Sequence, residues 1–336
     1  MTVVTAEPTV STGPTGPPVS TEPTVSAEAR AAREVYRDVL VELLGRDERH
    51  VCLDSDTGLF SGTDWGDAAP RYLNLGIAEQ NLMGVAAGLA RSGRIPFVNT
   101  MATFAATRAL EAVKLDIAWN DLPVRIAATH GGLSAGHLGS THHALEDLGI
   151  MRMLPNMTVL VPADGPATET LVRAAAELPG PVYLRLGRGA TPSLAPGAEP
   201  VRIGVAQRLR RGTDVTLIAT GPHPVLTAVE TAGELARAGI DAAVLNMHTV
   251  KPLDREAIVE AATRTRGIVT VEEHWAAGGL GSAVAEVVAD LGVACPVRRV
   301  AVADRFAAGT GGHRHLLARN GISGATVTEH VRRLLA

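Results

Sequence analysis

Three groups of polar residues in a largely aliphatic chain are spaced for chemistry. The first is a single carboxylate, Glu79, set in Gly76-Ile77-Ala78-Glu79-Gln80 and followed by the small-residue run Met83-Gly84-Val85-Ala86-Ala87-Gly88-Leu89-Ala90. A carboxylate held in a ligand cleft can take and return a proton, which is general acid-base work. The second is the glycine-rich stretch that follows His130 and carries His137, His142 and His143, with His130 and His142 twelve positions apart. Imidazoles in such a loop could ligate zinc or orient a polar substrate. No cysteine accompanies them, and the adjacent His142 and His143 should diverge, so substrate recognition is the stronger reading. The third is Arg185 and Arg188, which close the first domain and for which surface solvation is the default reading.

These groups need a scaffold, and the apolar pattern supplies one. The short run ahead of Gly76 reads as a strand. Residues 77–91, rich in Ala and Leu, read as a helix whose glycines would admit a second backbone. That places Glu79 in the first turns of a helix beside the carboxyl end of a strand, where open α/β sheets put their ligands. An acid there could equally just stabilise the helix dipole. Residues 27–44 read as a helix and 50–54 as a buried strand, with Asp54 and Asp56 as turn formers behind it. Residues 95–98 form a strand, 103–119 a helix with Phe104 at its start, and 122–129 a strand that delivers His130. A helix over 144–153, a strand over 158–161, a helix over 166–177 and a strand over 181–186 complete a largely parallel sheet. A second αβ repeat starts near residue 201, with strands over 215–219, 242–245, 267–271 and 297–300. The predicted fold class is therefore α/β, with two domains that each have a mostly parallel sheet and helices on both faces. Residues 1–27 should be a disordered Pro/Thr-rich tail, 28–190 the first domain, 191–203 a linker and 204–336 the second domain.

Composition narrows the function classes. The chain has 336 residues, a net charge of −4 and a hydrophobic content of 46 %, which is ample for packed cores. No basic patch points to nucleic acid, and no apolar stretch points to a signal peptide or a membrane anchor. Two cysteines far apart in sequence, Cys52 and Cys295, make no disulfide framework, which fits a cytoplasmic protein.

The motifs resemble a known family. Gly76 to Gln80, Ala102-Thr103-Phe104, Leu122-Pro123-Val124, Thr129-His130, the loop ending Gly139-Ser140-Thr141-His142, Ala144-Leu145-Glu146-Asp147 and Pro155-Asn156-Met157 occur in the order seen in transketolases. The chain resembles their carboxyl-terminal half, the pyrimidine-binding domain plus the C-terminal domain. The resemblance implies thiamine diphosphate as cofactor, with Glu79 on the pyrimidine N1′ and Phe104 stacked against that ring. It also implies Asp56 as the acidic residue beside the thiazolium part. His130 and His142 would contact the phosphate and the hydroxyls of a ketose donor, and Arg188 would contact the phosphate. Other members add further aromatics one turn beyond Phe104. Here Thr107 and Leu110 stand in that region, which implies a looser pocket.

Two departures carry weight. Where the family has an acidic pair whose Asp bonds a donor hydroxyl, this chain has His137-Leu138-Gly139-Ser140. Leu138 cannot accept a hydrogen bond, so the donor should lack that hydroxyl or carry it elsewhere. The diphosphate and its Mg²⁺ are held in this family through Gly-Asp-Gly and paired asparagines on another domain, whereas Gly66-Asp67 here runs into Ala68. The expectation is a transferase subunit of a split transketolase, with no metal ligands of its own. A partner chain would bring the diphosphate domain and Mg²⁺, two copies of each chain would form the assembly, and a ketose or sugar phosphate would be the substrate. The alternatives are a beta subunit of a 2-oxo acid dehydrogenase, a deoxyxylulose-phosphate-synthase-like enzyme, and a non-catalytic cofactor-binding subunit.

Overall fold

The computed structural model describes residues 29–194 and 201–336. The tail expected over 1–27, and residues 195–200 of the expected linker, lie outside them. The chain forms two α/β domains.

A short ribbon pairs β1 (Ala29–Ala31) with β8 (Ala190–Pro192), antiparallel. The first sheet takes β2 (His50–Asp54), β3 (Tyr72–Asn74), β4 (Ile95–Met101), β5 (Arg125–Thr129), β6 (Thr158–Leu160) and β7 (Val182–Arg185) in the order β6-β7-β5-β4-β2-β3, all parallel. The second sheet takes β9 (Gln207–Arg210), β10 (Val215–Ala219), β11 (Ala242–Asn246), β13 (Ile268–Trp275) and β14 (Val297–Val302) in the order β14-β13-β10-β11-β9. Only its edge strand β9 runs antiparallel. Helices cover both faces, which is why β2, β5, β10 and β11 are buried at every position.

The remaining strand, β12 (Thr249–Lys251), leaves the second half of the chain and pairs antiparallel with β6 at the edge of the first sheet. The periodicity of the sequence does not foresee this, because three residues carry no pattern of their own. The two domains are further stapled by Lys251 Nζ on Leu154 O and by Arg185, which donates to Ala144 O (2.7 Å) and Glu273 O (2.8 Å).

Four expected elements differ in extent. The first helix is Ala32–Arg46, since residues 29–31 are drawn out by pairing with β8, and 190–192 are strand rather than linker. The helix expected over 103–119 breaks into Ala102–Ala106, Leu110–Ala112 and a π turn over Val113–Ala118. At the first break Thr107 N still reaches Thr103 O (3.1 Å), but Ala109 N bonds Phe104 O, five residues back (3.1 Å), so the α pattern is interrupted. The helix expected from residue 144 starts at Asp147, because Ala144 N is taken by Gly132 O (2.9 Å). Gly84 and Gly88 sit on the outward face of the helix Glu79–Arg91 with nothing within 4 Å, so they admit no second backbone among the described residues. That helix packs on the sheet through Leu82, Met83, Ala86, Ala87 and Ala90 instead.

Candidate active site

β3 ends at Asn74, the chain turns at Gly76 (φ +69), and Glu79 opens the helix that follows. Asn74 organises that turn, accepting from Gly76 N (2.9 Å) and donating to Asp56 Oδ1 (3.0 Å). Glu79 is only 2 % exposed, yet it lines a cavity of about 660 Å³ with Ala78, Gln80, Arg108 and Glu111 among its neighbours. Its carboxylate is held by Arg108 Nη1 at 2.8 Å. The Arg108 guanidinium also lies over the Phe104 ring, 4.5 Å from its centroid. On the same ring, His142 packs edge-on at 5.4 Å between centroids. Thus a helix start, a second helix and a loop bring Glu79, through Arg108, and His142 to the same aromatic ring, Phe104.

The histidine loop is built by close packing. Gly132 has φ +62, and a Cβ there would fall 2.3 Å from the Glu273 side chain; at Gly136 (φ +46) it would fall 2.7 Å from Gly311 O. Only glycine meets both demands. Glu273 accepts from Leu133 N (2.5 Å) and pairs with His313 Nε2 (2.6 Å), so the second domain clamps the loop. Burial alone would raise the Glu273 carboxyl, but His313 and Arg185 hold it below the usual carboxylate range. His143 turns into this interface while His142 turns to Phe104; adjacent side chains diverge as expected.

His130 follows β5 in the left-handed region (φ +60), a conformation that costs about 1–2 kcal/mol outside glycine. Its Nδ1 is paired with Thr129 Oγ1 (3.0 Å). Burial lowers its pKa to about 4, helped by the positive potential of Arg33, Arg188, His137 and His142. The imidazole is therefore neutral at pH 7, with the cationic Arg33 and Arg188 nearby. Arg188 Nη1 donates to His137 Nδ1 (3.0 Å). Burial, then Arg188, lowers the pKa of Arg33, on the first helix. The set His130, His142 and Arg188 is thus gathered, and Arg33 and His137 join it.

Other candidates have different places. Asp56 is exposed in the left-handed region (φ 61) and touches the Glu79 turn only through Asn74. Asp54 is buried and bonded by Asn99 Nδ2 (2.6 Å) and Thr57 Oγ1 (2.9 Å). Arg185 forms a buried pair with Asp147 (2.9 Å) and serves the fold, not a ligand. Leu138 is 37 % exposed in the short turn Gly136–Leu138, next to His137. Among the described residues no cluster of three or more His, Cys, Asp or Glu could hold a metal ion. The residue missed from sequence is Arg108. Arg108 lies in the break after Ala106, and the turn there, not a continuous helix, brings it over Phe104.

Residues 28–193 match the transketolase pyrimidine-binding domain and residues 204–327 the transketolase C-terminal domain. The chain belongs to the transketolase family. It is 41 % identical, over 84 % of its length and 88 % of the relative's, to the 6-deoxy-6-sulfo-D-fructose transketolase subunit SqwH of Clostridium sp. (strain MSTE9). To an apulose-4-phosphate transketolase subunit of Phocaeicola vulgatus it is 39 % identical over 82 % of this transketolase-family chain and 88 % of the relative. Among solved structures, a split gene transketolase described as an inactive beta4 tetramer superimposes with a TM-score of 0.82 at 43 % identity, covering 92 % of this chain and 99 % of that one. The chain is thus a transketolase-type transferase subunit, and thiamine diphosphate is the cofactor its family implies.

The residues present fit that cofactor. A buried carboxylate opening on a cavity beside a half-buried aromatic ring suits a planar heterocycle that bonds at its edge and stacks on its face.

Proposed function

We propose that this chain is the pyrimidine-domain subunit of a two-component transketolase that moves a two-carbon ketol unit from a ketose with an anionic tail to an aldehyde. The observation that carries the reading is that Arg108 joins Glu79 to the Phe104 ring and His142 packs on the same ring, with neutral His130 and the cations Arg33 and Arg188 alongside. Glu79 would hold the pyrimidine at its N1′ edge and keep a proton there, and Phe104 would support its face. When bound, thiamine diphosphate supplies the nucleophilic carbon and the electron sink that ketol transfer needs. His142, already against Phe104, would orient the donor's hydroxyls, and neutral His130 can both donate and accept toward it. Arg188 and Arg33 would take the anionic tail, which agrees with the sulfonate and phosphate in the relatives' names. Leu138 in the same loop would leave one hydroxyl position unread and favour a donor without it.

The diphosphate and Mg²⁺ would be held by a partner chain, with two copies of each subunit, and Asp56, exposed beside the Glu79 turn, would lie beside the thiazolium part of the cofactor. Ile77 (72 % exposed) and Leu115 (47 %) flank the cavity and would be covered in that assembly. Among the described residues no helix is long and apolar enough to cross a membrane, and a cytoplasmic location belongs to the same proposal.

The test is ketol transfer with Mg²⁺ and thiamine diphosphate, using this chain alone, with a diphosphate-domain chain, and with that chain plus Glu79→Ala. The panel should pair phosphorylated, sulfonated and uncharged ketoses with a pyruvate control. Turnover of an anionic ketose only by the wild-type pair supports the proposal. Turnover of pyruvate instead would assign a 2-oxo acid reaction, and a stable pair that binds cofactor without any turnover would leave a binding subunit.

A further inference from the structure

Arg108 sits where a ligand ring should. Its guanidinium is planar and cationic, presents N–H donors at its edge, bonds Glu79 at 2.8 Å and stacks on Phe104 at 4.5 Å. Those are the two contacts, edge to the carboxylate and face to the aromatic ring, that the proposed function requires of an aminopyrimidine. Both cannot be made at once by two occupants. The side chain is 49 % exposed, so it is free to leave, whereas Glu79 at 2 % is fixed. Beyond it, the cavity is lined by two further carboxylates, Glu111 and Asp116, both exposed.

We infer that Arg108 is a placeholder for the cofactor's pyrimidine ring, holding Glu79 and Phe104 in the ligand-free subunit and swinging to Glu111 and Asp116 when the ring enters. The arrangement keeps a buried carboxylate paired while the site is vacant, since an unpaired one would be strongly disfavoured. It also makes cofactor binding an exchange in which Arg108 moves from Glu79 to other carboxylates and a proton shared with the ring takes its place, so affinity is set partly by the difference between two carboxylate environments. The inference rests on the thiamine diphosphate reading of the site.

The test is calorimetric titration of thiamine diphosphate with Mg²⁺ into the assembled pair of subunits, with melting curves to verify folding. Arg108→Met removes the competitor and should tighten binding about tenfold, the combined scale of a half-buried ion pair and a cation–π contact. Arg108→Lys, which keeps the charge without the plane, should fall between. Glu111→Gln with Asp116→Asn removes the receiving carboxylates and should weaken binding severalfold, and that effect should vanish in the Arg108→Met background. Unchanged or weaker binding by folded Arg108→Met overturns the placeholder while leaving the cofactor reading intact. Absence of binding by the wild-type pair overturns both.

Discussion

Two glutamates in this chain are alike in burial, and they do different things. Glu79 opens a helix after the Gly76 turn, Glu272 lies in β13 against the Gly279 turn, and each is at most 2 % exposed. Glu272 spends both oxygens on the fold, accepting from Leu280 N (2.6 Å) and Gly281 N (2.8 Å). A Cβ at Gly279 would fall 2.1 Å from it, so no room remains for a ligand. Burial pushes its carboxyl up, and the helix amides it caps pull it back only in part. Glu79 is held by one half-exposed side chain and faces a cavity. Burial therefore does not mark a catalytic acid; acceptor capacity left over beside open space does.

The largest test of that difference exchanges each acid for its amide. Glu79→Gln should lower ketol transfer by the assembled pair about 10³-fold, within the range for a lost acid-base group, with little change in melting temperature. Glu272→Gln should keep turnover and lose roughly 2 kcal/mol of stability, the scale of charge-assisted hydrogen bonds, read as a drop of several degrees in melting. If Glu272→Gln were the inactive one while folded, the contrast would be wrong. The histidines repeat the pattern one step down. His274 engages Gly149 N through Nε2 (3.1 Å) and Trp275 O through Nδ1 (2.7 Å), so His274→Ala should cost about 1 kcal/mol of stability and leave kinetics alone. His142→Ala should lower kcat about 10²-fold. Smaller again, Arg188→Ala and Arg33→Ala should each raise KM about tenfold for a phosphorylated donor and leave an uncharged donor nearly unaffected. Equal effects on both donors would detach these arginines from the anionic tail.

Much of this contrast was legible in the sequence, and the illegible part has definite causes. The α/β class followed from apolar runs alternating with helical ones, and the family from motifs in order. The meeting of Phe104 with His142 could be anticipated from those motifs. The break over 107–109 could not, because the five-residue bond from Ala109 N to Phe104 O interrupts a stretch whose helical pattern is good. Arg185 and Arg188 differ by three positions and read alike, yet only tertiary contact with Asp147 commits the first to the core. Arg33 comes near Arg188 from the first helix and His137 accepts from Arg188, neighbours that no local spacing encodes. Strand β12 owes its existence to a neighbour in the other domain.

The last test separates histidines of the site from those of the scaffold. His130 and His248 are both buried, and burial lowers each to about 4. An unfolded chain takes up these protons near pH 6.5, whereas the folded chain resists until about pH 4, so protons favour the unfolded state across that window. Stability is accordingly intact above pH 6.5 and falls as pH drops toward 4, by roughly 3 kcal/mol for each such histidine. His130→Asn, which tolerates the left-handed backbone, should recover its share in denaturant titrations at about pH 4.5. A bound anion discriminates further. Phosphate should raise the His130 titration by partly offsetting Arg33 and Arg188, and should leave His248, whose charged neighbour is Asp254, where it was. Imidazole proton resonances followed with and without phosphate give both values, and a shift at His248 equal to that at His130 would mean a general salt effect and no anion site at the histidine loop.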